Sequence, residues 1–204
     1  MLESLPTAAA ALNLLGTLIA LPPGDPAHRA ARAALHEDGW SEGWPGSDAP
    51  GFAAAVADLV AAAEEAGLAE AYRRLFVGPE ALPAPPWGSV YLDPENALCG
   101  ESLLELRDFL RTAAVQVQSH DKGPEDHAGL LLWIAAWLLA EGRIAEADVL
   151  LGVHLLPWGP RFCERLAEAA DAPFYRGLAR LTALTLEALR AHHGIAMRER
   201  QLYL

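Results

Sequence analysis

Apolar residues recur along this chain every three to four positions, and the alternating runs that would signal strands are nearly absent. The pattern predicts helices almost throughout. The first apolar run predicts a helix over Thr7 to Ala20, stopped by Pro22-Pro23. Asp25 before Pro26 combines a capping side chain with a proline at the first helical position, and opens a short helix to His36. Glu37 to Pro50, with Trp40 and Trp44 among Gly, Ser and Pro, reads as a loop. Phe52, Val56, Leu59, Val60 and Ala63 share one face of a helix over Gly51 to Ala66, with Gly67 as its stop. A further helix is expected over Ala69 to Phe76.

The segment from Tyr72 to Glu101 breaks this rhythm. Pro79, Pro83, Pro85 and Pro86 cannot donate backbone hydrogen bonds, so they interrupt any helix. The same segment carries Leu75, Phe76, Val77, Trp87, Val90, Tyr91 and Leu92. Apolar side chains in an irregular segment either anchor it to the body of the protein or line a surface that receives a ligand. Beyond it, Leu103, Leu106, Leu110, Ala113 and Val117 form the stripe of a helix over Glu101 to Gln118, with Glu101, Glu105, Asp108 and Arg111 off that stripe. Ser119 to Gly123 is a second loop. Pro124 is expected to open a central helix that ends at Gly142, followed by a helix over Arg143 to Val153. His154 to Pro160 (HLLPWGP) reads as a third connection. Two helices follow, Arg161 to Ala170 and Pro173 to His193, with Gly194 as a stop. The tail Ile195 to Leu204 is left either packed or free. The expected fold is all-α, a single globular domain over residues 1–204 with about eight or more helices.

Composition narrows the functions. The chain has 204 residues, 52% of them hydrophobic, enough for one core. Its formal net charge is -12, with a pI near 4.9. Such a chain repels phosphate backbones, which argues against nucleic-acid binding. The same field either attracts a cationic partner or serves solubility alone. Cys99 and Cys163 are too few and too far apart for a disulfide framework or a zinc cluster, and are expected as buried thiols in a reducing compartment. Ala8 to Leu21 resembles a secretory core, yet Glu3 precedes it and no Lys or Arg occurs before Arg29. The expectation is a buried first helix, a cytoplasmic protein and no membrane-spanning segment.

Candidate chemistry concentrates at Gly123 to Gly129 (GPEDHAG). Pro124 is expected to fix a first helical turn carrying Glu125, Asp126 and His127. Acidic residues there are ordinary helix stabilisers, or they meet a cation with His127 as a hydrogen-bonding neighbour. The helix dipole favours neutral His127, and Asp126 pulls the other way. GxSxG, Walker, HExxH and GxGxxG motifs are all missing. Cys99 with His127 as base has no local support. Trp133 and Trp137 have core spacing on the central helix. His154 is expected to be partly buried, and His192-His193 to complement a helix C-terminus.

Four blocks then stand out in order: YRRLFVGPEALPAPPWGSVYLD, GPEDHAGLLLWIAAWL, HLLPWGPRF and APFYRGLARLTALTL. They resemble the TorD/DmsD family of twin-arginine leader-binding molybdoenzyme maturation chaperones, nearest to its dimethyl sulfoxide reductase subgroup. The resemblance runs from Tyr72 to Leu186; the first seventy residues match only in being helical. Glu80 departs from the family, which carries a bulky residue there. The resemblance implies an all-α, non-catalytic, cytoplasmic chaperone with no cofactor of its own. Its partner would be the twin-arginine leader peptide of a molybdopterin-containing reductase subunit, whose export it delays until the cofactor is inserted. Components of the twin-arginine translocase are further partners that the resemblance brings into view. The family's binding surface carries over onto Leu75, Phe76, Pro86, Trp87, Gly100, Pro124, Asp126 and His127. In physical terms, Glu125 and Asp126 would receive the paired guanidiniums, while Leu75, Phe76, Trp87 and Tyr91 would form an apolar groove. Two alternatives stay open. One is a small helical metal-dependent hydrolase using Asp126 and His127. The other is an assembly factor that binds only the mature reductase subunit. A monomer is the default, with a domain-swapped dimer as the other arrangement.

Overall fold

In the computed structural model, described over residues 5–61, 67–117 and 123–204, the helical expectation holds. The described residues form ten α-helices and two π-helical segments, with no strand beyond one isolated antiparallel bridge. The helices are α1 (Leu5–Ala20), α2 (Pro26–Ala34), α3 (Phe52–Ala61), α4 (Leu68–Tyr72), α5 (Gly88–Leu92), α6 (Glu101–Thr112), α7 (Ala128–Ala140), α8 (Ile144–Val149), α9 (Gly159–Ala169) and α10 (Pro173–His193). None is long and apolar enough to cross a membrane.

The centre is α7, apolar on every side, with α1 lying along it. The two meet glycine to glycine. A Cβ on Gly129 would stand 2.8 Å from the Gly16 carbonyl oxygen and 2.8 Å from Ala20 Cβ, and one on Gly16 would stand 2.8 Å from the Gly129 carbonyl. Trp133 Nε1 donates to Thr17 Oγ1 across the same crossing (3.0 Å). On the far side α10 packs against α3 and α9. The Glu37 to Pro50 loop is pinned there by Trp44 Nε1, which donates to Thr185 Oγ1 (2.8 Å). One continuous apolar cluster joins these layers.

Several local expectations change. The segment after α4 widens into a π-helical turn over Arg73–Val77, and the one after α8 does so over Leu150–Leu155, so much of HLLPWGP is helical. A repeat of apolar side chains does not distinguish four-residue from five-residue backbone bonds. The proline-rich segment contains α5. Helix α6 ends at Thr112, six residues before Gln118. The expected end at Ala66 and most of the loop from Ser119 lie outside the described residues. Cys163 is buried and its thiol is pushed up to about 12 by that burial, but Cys99 is exposed. Trp137, expected in the core, is 44% exposed.

His28, wholly buried beside Phe174, is held neutral: burial first, then Arg32, lowers its pKa to about 4. The unfolded chain binds this proton near pH 6.5, so stability is complete above that pH and is lost as pH falls toward 4. Melting curves between pH 7 and 4 should show the loss, up to about 3 kcal/mol from this group. His28→Leu should flatten that slope. Gly129→Ala should destabilise the chain by about 1–3 kcal/mol, because the intruding methyl meets backbone rather than a yielding side chain. A thermal melt checks it, and an unchanged midpoint would contradict the α1–α7 contact.

Candidate functional site

The proline-rich segment returns to the body of the protein at the start of α7. Ala128 N–H donates to the Pro86 carbonyl (2.7 Å), and Gly88 N–H donates to the Asp126 carbonyl (3.1 Å). These two bonds make the antiparallel bridge Trp87–His127. The rings of Trp87 and His127 meet edge to face, 5.6 Å between centroids. A third bond completes the clasp: Ser89 N–H donates to Asp126 Oδ2 (2.6 Å).

This clasp explains why α7 starts late. Pro124 does not open the helix, and Glu125, Asp126 and His127 are not on its first turn. They form the turn ahead of it, because residues 126–128 direct their backbone toward Pro86 and Gly88. His127 is the N-cap: Gly129 N–H donates to its Nδ1 (3.2 Å), which leaves that nitrogen without a proton in this geometry.

The two carboxylates of the turn stand in different surroundings. Asp126 is only 4% exposed, and its Oδ1 has no hydrogen-bond partner among the described residues. Burial pushes its carboxyl above the usual range. The Ser89 amide, and its hydroxyl without hydrogen-bond geometry, pull it back. Glu125 lies at the surface and is bound twice by Arg107, at 2.9 Å from Nε and 2.7 Å from Nη2. Burial works against ionisation of Glu125, but Arg107 outweighs it and holds the carboxyl below the usual range. Unpartnered buried atoms gather at the clasp: besides Asp126 Oδ1, the Ser89 hydroxyl and the Trp87 Nε1–H have no partner among the described residues. Buried polar groups are nearly always satisfied, so such a group marks a place where something else supplies the bond.

The structure brings Pro86, Trp87, Pro124, Glu125, Asp126 and His127 together, with Trp87 half-buried at the edge. The apolar wall is different from the one expected. Leu75 and Phe76 are core residues, Phe76 packing between Tyr72 and Tyr175. Tyr91 is fully buried and stacks on Trp158. Their apolar character was legible, but not that each side chain points inward. Gly100 is the N-cap of α6, where a Cβ would meet the Asp93 carboxylate. The open apolar surface lies instead along α7, where Leu130, Trp133, Ile134 and Trp137 line a groove of about 480 Å³ with Val115 and Val117. It begins three residues after His127, about one helical turn from the clasp.

Other residues here were not singled out from sequence. Ser89 orients Asp126, and Arg107 neutralises Glu125. Glu105 binds Arg198 and Arg200 of the C-terminal tail. The one signal available was that Glu105 lies off the apolar stripe of its helix. Among the described residues no group of three or more His, Cys, Asp or Glu side chains converges as metal ligands would.

Comparison with known proteins gives a consistent picture. The family model described as nitrate reductase delta subunit matches residues 46–164. A relative from Salmonella typhi, the Tat proofreading chaperone DmsD, is 44% identical over 170 residues, 83% of this chain and 82% of the relative. The chaperone protein TorD of Shewanella pealeana is 33% identical over 122 residues, covering 56% and 55%. A candidate redox enzyme maturation protein from Archaeoglobus fulgidus has the same fold, with a TM-score of 0.59 at 18% identity over 89% of this chain and 94% of that one. Proteins named in this way are chaperones rather than enzymes. With a family model over more than half of its length and a relative 44% identical over most of both chains, the chain belongs to the TorD/DmsD family of redox enzyme maturation chaperones.

Proposed function

We propose that the chain binds the twin-arginine signal peptide of a molybdopterin-containing reductase subunit of the dimethyl sulfoxide reductase type, in the cytoplasm, and holds back export until the cofactor is in place. The relatives named Tat proofreading chaperone support this reading. The observation that carries it is the clasp itself, where a buried carboxylate with an open oxygen stands beside an indole with an open N–H.

A leader peptide offers what these groups lack. Its paired guanidiniums donate in a planar fork suited to carboxylates, and its backbone carbonyls accept from an indole. The moderately apolar run after the arginines would lie on the α7 groove. Burial in the groove supplies affinity that salt does not screen, while the carboxylates supply attraction that salt does screen. Binding should therefore weaken with salt to a plateau rather than to nothing.

Asp126→Asn keeps an acceptor for the Ser89 amide and removes the charge. Calorimetric titration with a twin-arginine peptide should show affinity lower by about tenfold, within the range of a charge-assisted hydrogen bond. Unchanged affinity would remove Asp126 from the site. Trp87→Ala leaves the backbone bridge in place and should weaken binding by about 1–2 kcal/mol with a small change in melting temperature. A large drop in melting temperature at unchanged affinity would make Trp87 a plug over the core. Pull-down of the reductase precursor should require its signal sequence; equal capture of the mature subunit would favour an assembly factor that ignores the leader.

A further inference from the structure

The C-terminal tail, residues 195–204, crosses the candidate site without helix or strand of its own. Arg198 N–H donates to the Gly152 carbonyl (2.9 Å), Tyr203 N–H to the Tyr91 carbonyl (2.9 Å), and Arg161 Nε to the Leu204 carbonyl (3.3 Å). The crossing at Gly152 is so close that a Cβ there would stand 2.4 Å from the Ala196 carbonyl oxygen. Between these anchors, Arg198 and Arg200 both reach Glu105, Arg198 at 3.1 Å. Arg200 also lines, together with Glu105 and Asp126, a cavity of about 10 Å³. That is room for about one water. The buried carboxylate that lacks a donor at Oδ1 thus shares its cavity with a guanidinium from the chain's own end.

We infer that this cavity is a guanidinium pocket, that its ligand is a peptide with closely spaced arginines, and that Arg198-Glu199-Arg200 fills it as a stand-in which an incoming leader displaces. The inference rests on the proposed leader binding and adds Glu105 as a second receiving carboxylate and the tail as a competitor.

The tail is held in a way that favours exchange. Arg198 is 49% exposed and Glu105 29%, and an ion pair this wet contributes little, so Arg200, 22% exposed, is the arginine that holds the tail on Glu105. Ile195 is buried and Leu204 packs half-buried against the core, while Met197, Leu202 and Tyr203 remain 46%, 39% and 41% exposed, so the tail is anchored at its two ends and buries little apolar surface where it covers the site. A leader that brings paired guanidiniums and buries an apolar run would gain where the tail does not. A neutralising occupant is favoured, since two carboxylates lining one small cavity repel each other and the buried one has lost hydration. A resident competitor also lowers the apparent affinity of every incoming basic peptide by the fraction of time the pocket is free. Only a peptide with the full set of contacts would then bind well.

The test uses the full-length chain carrying Arg198→Gln and Arg200→Gln. A synthetic peptide with two adjacent arginines before an apolar run is titrated calorimetrically into the variant and the unaltered chain, with a twin-lysine peptide as control. The variant should bind the twin-arginine peptide at least about threefold more tightly. A free peptide of residues 196–204 should compete on the variant, and adding Glu105→Gln should reverse the gain. Equal or weaker binding by the folded variant would overturn the inference and make the tail a structural strap, while leaving leader binding intact. Absence of binding by both chains would instead overturn the leader reading, and this inference with it. If the double variant melts below the assay temperature, Arg198→Gln alone, at the more exposed arginine, is read in the same direction.

Discussion

The three hydrogen bonds between residues 86–89 and 126–128 are the constraint on which the rest of this molecule's surface chemistry depends. They join the proline-rich segment to the first turn of the most apolar helix. Prolines limit the conformations open to that segment before folding, so fixing it costs less than fixing an ordinary loop of the same length. The bonds also decide where α7 begins. By directing the backbone of residues 126–128 toward Pro86 and Gly88, they keep Asp126 off the helix and turn its carboxylate toward the Ser89 amide. A buried carboxylate, an indole edge and a capping imidazole then stand together as a consequence of backbone pairing.

Electrostatics at this place runs against the chain's average. The protein carries a net charge of -12, yet the surface carboxylates near the clasp are each matched by an internal guanidinium. Glu125 has Arg107, and Glu105 has Arg198 and Arg200. Among the described residues the Asp126 carboxylate accepts a hydrogen bond only from the neutral Ser89 amide. The acidic residues beside the clasp are therefore oriented by ion pairs before any partner arrives, and the buried one keeps an unused acceptor. Overall acidity brings cationic segments toward the protein, and the local arrangement selects among them.

Much of the architecture was legible because it is local. Asp25 caps α2 by accepting from Ala27 N–H (2.7 Å), as the Asp-Pro pair suggests, and Gly194 ends α10 in the left-handed conformation expected of such a stop. What was hidden is long-range. Leu75, Phe76 and Tyr91 were read as groove residues because sequence reveals apolarity but not direction; Leu75 is buried in the core, Phe76 packs against Tyr72 and Tyr175, and Tyr91 stacks on Trp158. The start of α7 was misplaced because Pro124 is a strong local signal, while the bridge that overrides it pairs residues 40 apart. The tail could not be placed at all, since its order comes from Glu105, Gly152 and Tyr91 rather than from any periodicity of its own.

The central claim is that the clasp region receives an arginine-bearing leader. Photo-crosslinking tests it most directly: a twin-arginine peptide with a photoreactive group beside its arginine pair is irradiated with the protein, and the attachment sites are mapped by mass spectrometry. The account predicts attachment within residues 86–89, 105–107 and 124–127. Attachment confined to the opposite layer, on α3 and α10 around Asp58 and Arg180, would contradict it.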